Sequence, residues 1–225
     1  MSNWKNVFGI IWTGQLFSIL SSSIVSFALI LWLSFETGSA EVLALSALAA
    51  LLPQSVIGLV AGVYIDRWDR KRTMIAADSF IAFCTLLLAV LFFLNLAEIW
   101  HIYVLLALRS VGSAFHMPAM QASIPLLSPA DQLGRIAGIN QMLESVCNIA
   151  GPALGALFIG LMDISYILLL DVGGALMACL SLLFVRIPNP EQDENKRTGI
   201  WIELKEALHI VKKIKGITPL VLFSV

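Results

Sequence analysis

Residues 62–74 read GVYIDRWDRKRTM, and the seven positions from Asp66 to Arg72 hold four cations and two carboxylates between two long apolar runs. Dense charge between two such runs marks a place where a chain leaves hydrocarbon, turns and re-enters it, because an uncompensated charge inside a bilayer costs several kcal/mol. The reading of the whole chain depends on whether its other apolar runs are long enough to cross a bilayer as well.

They are. Hydrophobic residues make up 59% of the 225 and charged residues 13%, with a mean hydropathy of +0.88, too little polar surface to cover a soluble domain of this size. Six runs, at 7–34, 42–65, 74–95, 101–127, 136–160 and 164–186, each reach the length of about 20 residues that a helix needs to span the hydrocarbon. Barrel strands would be near 10 residues long and alternating, and these runs are neither. The sequence therefore predicts an all-α membrane protein: a six-helix bundle over 1–187, a charged linker over 188–216, and the start of a seventh helix over 217–225. The first run is too long for a signal-peptide core and reads as a retained helix.

Composition also narrows the function. A net charge of −1 gives no electrostatic reason to expect nucleic acid. Cys84, Cys147 and Cys179 sit singly inside apolar runs, so neither a disulfide framework nor a metal site is expected, and no cofactor is implied. No GxSxG, HExxH or paired-Asp motif is present, and SSS at 21–23 has no nearby His, so an enzyme is not the expected class. A transporter and a non-transporting six-helix scaffold both remain compatible.

Lys and Arg resist translocation, so their placement predicts orientation. Thirteen of the fourteen cations fall at Lys5, within Arg67–Arg72, at Arg135, at Arg186 and within Lys196–Lys215, all on one side. The opposite turns, 36–41, 95–101 and 161–165, have none. The amino terminus is expected in the cytoplasm, and the fourteenth cation, Arg109, within the membrane.

Residues 62–72 resemble the signature loop between helices 2 and 3 of the major facilitator superfamily, with Gly62, Asp66, Arg67, Arg70 and Lys71 matching and Asp69 standing where a Gly is usual. LRSVGSAFHMPA (108–119) and GPALGA (151–156) resemble the helix-4 motif and the helix-5 motif of proton-coupled exporters. Together with ELKEALHIVKKIKG (203–216), the set is similar to macrolide-efflux-type drug exporters. The resemblance implies a bundle of two three-helix inverted repeats in a bacterial cell membrane, completed by a C-terminal six-helix half. It implies export of a small amphipathic substrate against protons. It also implies that Asp66 and its neighbouring cations gate the cytoplasmic side and that Gly151, Pro152 and Gly155 form the exporter motif.

Individual residues carry a separate reading. At 100° per residue Arg109, Ser113, His116, Met120 and Ser123 share one face. That stripe is expected to line a cavity or to make an inter-helix ion pair. Gln15, Ser18, Ser22 and Ser26 form a milder stripe on helix 1, which can glue helices or face the cavity; the resemblance favours the cavity for Gln15, Ser22 and Ser26. Glu144, Asn148, Gly151 and Gly155 are expected on one face of helix 5, where the buried carboxylate must be protonated or paired. Pro152 lacks a backbone donor and permits a kink. GxxxG at 58–62 allows close approach by a neighbouring helix. Asp78 is expected near the cytoplasmic boundary, within reach of Arg72, and Asp171 within two turns of the outer edge; neither is expected to be functional. The helix expected over 200–215 has Trp201, Leu204, Leu208 and Val211 on one side and lysines on the other, a pattern suited to lying on an anionic leaflet.

Overall fold

The computed structural model describes residues 4–65, 67–185 and 187. Six helices follow in order: α1 (Trp4–Thr37), α2 (Ala40–Ile65), α3 (Arg70–Phe93), α4 (Ile99–Leu127), α5 (Leu133–Ile159) after a single 3-10 turn, and α6 (Ile164–Leu183). All six contain a segment long and apolar enough to cross a membrane, and no strand occurs among the described residues. Large apolar side chains cover the outside, among them Phe35, Ile149 and Phe184. A bilayer, not water, is the solvent that such a surface fits. The linker and the start of a seventh helix expected over 188–225 lie outside the described residues, as does Asp66.

The charged turn is shorter than its sequence implies, because α3 begins at Arg70. Asp69 supplies the reason: it is the N-cap, and its side chain accepts from Arg72 N at 2.8 Å, satisfying one of the donors a helix start leaves open. Three cations in a first turn oppose the helix's own dipole, and two of them reach to other helices instead. Arg70 Nη1 donates to Ala122 O near the end of α4 (2.6 Å), and Lys71 Nζ donates to Val185 O, just past α6 (2.7 Å). Cations near these C-terminal ends complement the dipoles of the antiparallel neighbours. On the opposite side, Gly38 takes a left-handed φ of 56° just past α1 and Asn95 one of 54° past α3, closing both helices with tight turns.

Packing is two-fold. α1 lies against α5 and α6, α4 lies against α2 and α3, and α3 meets α6. Exchanging helices 1, 2 and 3 for 4, 5 and 6 leaves this pattern unchanged, as two repeated three-helix units require. Backbone contact at glycines makes the closest approaches. A Cβ on Gly14 would collide with Ser181, one on Gly174 with Ser21, and one on Gly151 with Ser23. One on Gly155 would stand 2.9 Å from Ile24 O. Gly58 and Gly62 differ: a Cβ on either would meet nothing within 4 Å. The GxxxG pair of α2 therefore holds no neighbour among the described residues, contrary to expectation.

The buried interior divides into two apolar clusters. One is built around Leu29, Leu33, Leu88, Ile102 and Leu168, the other around Ile11, Ile65, Met74, Ala119 and Leu182. Between them along α1, α3, α4 and α6 lies a band of buried polar side chains.

Candidate functional site

Arg109 is only 6% exposed, Asp171 1% and Thr85 0%. Arg109 Nη1 lies 2.5 Å from Asp171 Oδ2 and also donates to Thr85 Oγ1. Thr85 Oγ1 in turn donates to Asp171 Oδ2 at 2.7 Å, and Ser22 Oγ donates to Asp171 Oδ1 at 2.5 Å. Four helices, α1, α3, α4 and α6, thus converge on one carboxylate. With three donors and a full counter-charge, Asp171 has the compensation that an ionised group needs inside a bilayer.

A second cluster lies two turns away. Asp78 is 3% exposed, His116 5% and Gln15 1%. Gln15 Nε2 donates a long hydrogen bond to Asp78 Oδ2 (3.5 Å), and His116 Nε2 stands 3.3 Å from Asp78 Oδ1. That contact is close but not aligned, so His116 Nε2 has no hydrogen-bond partner among the described residues; Gln15 Oε1 also has none. Gln15 lines a narrow cleft of about 10 Å³ between α1, α4 and α5, together with Trp12, Met120, Asn140 and Glu144. Asn140 Oδ1 is another buried acceptor without a partner there.

The structure places the expected residues as follows. Arg109 and His116 point into the bundle and are joined to acids on α6 and α3. Ser113 does not join them. It lies in a separate crevice of about 400 Å³ between α2 and α4, with Gln54 and Gly58. Gln15 and Ser22 each bond a buried acid, while Ser26 is half-buried one turn further along α1. Glu144 is half-buried in the cleft, and Asn148 is exposed rather than sharing its face. Gly151 and Gly155 are buried against α1. Pro152 sits half-buried within an unbroken α5, so the helix is not terminated there. One turn earlier, Ser23 Oγ donates to Cys147 O at 3.1 Å and ties the two helices together.

Arg67 is half-buried. With Trp68, Asp69 and Arg72 it lines the mouth of a groove between α3 and α4, where Trp68 stacks on Phe115.

Sequence reasoning missed Asp78, Thr85 and Asp171. Asp78 does not serve Arg72 but meets Gln15 and His116; Asp171 lies two turns inside α6, where it was expected, but as the acceptor of a buried cluster. The signal that could have found both acids is the internal repeat. Arg109 and His116 follow Gln15 and Ser22 by 94 positions each, and Asp171 follows Asp78 by 93. The GxxxG of α5 likewise follows that of α2 by 93.

Comparison with known proteins agrees with this architecture. The family model described as Major Facilitator Superfamily matches residues 11–225. The chain is 37% identical over 222 residues to a protein of Streptococcus pyogenes named macrolide efflux protein A, covering 98% of this chain and 55% of that relative. It is 38% identical over 186 residues to an Enterococcus faecalis protein of the same name, covering 82% of this chain and 57% of the relative. A Bacillus subtilis protein named uncharacterized MFS-type transporter YfiS is 27% identical over 166 residues, covering 72% of this chain and 39% of its own length. The chain spans about half the length of these two curated macrolide-efflux relatives. A repeated three-helix architecture, a family match over nearly the whole chain and these relatives agree: the chain is a multi-pass membrane protein that belongs to the Major Facilitator Superfamily.

Proposed function

We propose that the chain forms the N-terminal half of a secondary transporter that exports amphipathic compounds, macrolides among them, in exchange for protons. Its six helices would rock as a unit against a C-terminal six-helix half to expose the site to each side in turn. The name shared by the Streptococcus and Enterococcus relatives supports the substrate class. The observation that carries the proton part is the cleft between α1, α4 and α5, where Glu144 is half-buried beside Gln15 and Asn140. A carboxylate that is neutral when enclosed and ionised when hydrated can carry a proton between two sides. Arg109, permanently charged, acts from inside the bundle by fixing Asp171. Ser22 joins that ion pair, while Ser26, Ser113 and His116 are the remaining polar positions assigned to cavity or coupling. Asp66, with Gly62, Arg67, Arg70 and Lys71, closes the cytoplasmic side, and the Gly151–Pro152–Gly155 segment lets α5 move against α1.

The test is substrate-induced proton movement in proteoliposomes holding full-length protein at matched levels. Glu144→Gln is expected to lower proton movement per substrate exported. Undiminished coupling in that variant would remove Glu144 as the carrier, and export with no proton movement in the wild type would remove antiport altogether.

A further inference from the structure

The two buried polar clusters are related by the internal repeat, and the relationship is uneven in charge. Gln15 on α1 corresponds to Arg109 on α4, Asp78 on α3 to Asp171 on α6, and Ser22 to His116, all at the same 93 or 94 position offset. The contacts correspond as well. Arg109 bonds Asp171 as Gln15 bonds Asp78, and Ser22 approaches Asp171 from the other repeat as His116 approaches Asp78. The first cluster contains a fixed cation and a carboxylate and is neutral as it stands. The second has an amide where the first has its guanidinium, so Asp78 has no fixed counter-charge.

We infer that Asp78 and His116 form a proton-binding site, in which a single bound proton replaces the cation that the repeat-related cluster obtains from Arg109. The proton can reside on Asp78, giving a neutral acid beside a neutral imidazole, or on His116, giving a carboxylate beside an imidazolium. Either form makes the cluster neutral. Releasing the proton leaves Asp78 ionised beside a neutral His116, a net charge of −1 opposed only by the Gln15 amide, inside the membrane span, where uncompensated charge is costly. The use of this site in transport rests on the antiport reading above, whereas its occupancy by a proton does not.

Among the described residues no group seen at this cluster supplies the missing charge. On α4, Arg109 is about 10 Å away along the helix axis, two turns at 1.5 Å per residue, and is committed to Asp171. On α3, Arg70 and Lys71 bond the ends of neighbouring helices, and Arg72 is exposed in the first turn. From α6 come Asp171 and the Cys179 thiol, which points to Ile75 O with Ser79 Oγ nearby. α5 presents Glu144 and Asn140 across the cleft that Gln15 lines, and α2 has Glu41 in its first turn and Tyr64 near its end. None of these named groups on α2, α5 or α6 is a cation; Arg135 in the first turn of α5 and Lys5 in the first turn of α1 line a separate pocket with Trp4 and Ile136. Gln15 is also the link to the outside: its Nε2 holds Asp78, while its side chain forms part of the wall of the cleft that contains Glu144. Protons reaching that cleft have a short route to the pair.

The test is pH-difference infrared spectroscopy of full-length protein in lipid nanodiscs, reading the carboxyl and imidazole bands across the ordinary histidine range of about pH 5 to 8 and above. Wild type is expected to lose a single proton from a coupled carboxyl–imidazole pair. The signal should be absent in Asp78→Asn, which preserves shape and removes the acid. It should also be absent in Gln15→Arg, which gives α1 the cation α4 already has and should leave Asp78 ionised with His116 neutral. A band pattern in Asp78→Asn superposable on wild type overturns the assignment, as does a wild-type pair that stays ionised and neutral respectively at every pH. If Gln15→Arg does not fold, the Asp78→Asn comparison decides alone. A titrating pair in a protein whose export moves no protons would leave the site standing and sink antiport.

Discussion

Arg109 Nη1 and Asp171 Oδ2 meet 2.5 Å apart with side chains 7% and 1% exposed, joining α4 to α6 across 62 residues of sequence. Breaking a buried pair by removing one partner strands the other charge, at a cost of about 3–5 kcal/mol. Arg109→Ala and Asp171→Ala are each expected to lower stability by about that amount, read as the folded fraction on size exclusion and the unfolding midpoint in detergent. Arg109→Met combined with Asp171→Leu should recover most of the loss, because no charge is then stranded. Equal stability of Arg109→Ala and wild type would mean that the pair contributes nothing.

The two GxxxG pairs should respond differently to the same substitution. Gly155→Ala puts a methyl 2.9 Å from Ile24 O, a backbone atom that cannot turn aside, and overpacking of this kind costs about 1–3 kcal/mol. Gly58→Ala meets nothing within 4 Å, and the higher helix propensity of alanine, worth up to about 1 kcal/mol, should leave the bundle unchanged or slightly more stable. Thermal unfolding of the two variants side by side would show this; a Gly58→Ala midpoint as low as that of Gly155→Ala would mean that α2 packs more tightly than described.

Orientation can be tested by labelling. In a background without Cys84, Cys147 and Cys179, single cysteines at Ser39 and Ala97 should react with an impermeant thiol reagent applied from outside the cell. One at Asn195 should be silent until the membrane is opened. The reverse pattern would place the amino terminus outside.

Asp66→Asn, in full-length protein, is expected to insert and express normally yet export poorly, because a carboxylate at the end of α2 opposes that helix's dipole and needs a partner to justify its place. Normal export by a normally expressed variant would reduce residues 66–72 to a topological stop.

The helices were legible because each is a long apolar run bounded by charge or turn residues, a one-dimensional signal. Arg109 and His116 were legible because an ionisable group in such a run stands out, and Gly151 and Gly155 because small residues four apart make a groove. Asp171 was not, since its partners Ser22, Thr85 and Arg109 are contributed by three other helices and no local pattern joins them. Ser113 was assigned to the wrong neighbours for an angular reason. At 100° per residue it lies about 40° to one side of Arg109 and His116 about 20° to the other, and that difference separates the α2 side from the α3 and α6 side. The capping role of Asp69 was hidden because three cations after it made α3 appear to start later.

The two polar layers have a mechanical consequence. Gln15 and Ser22, Asp78 and Thr85, and Arg109 and His116 are each seven residues apart, two turns less about 20°, so three helices carry one contact in each layer at nearly the same azimuth. A helix that slipped along its axis by a single turn of about 5.4 Å would lose its partner in both layers and find none in between. Rotation about the axis would break both at once. The layers act as two dowels through the same three rods, and such a unit transmits torque and tilt without shearing, the property required of a body that pivots against another as one piece.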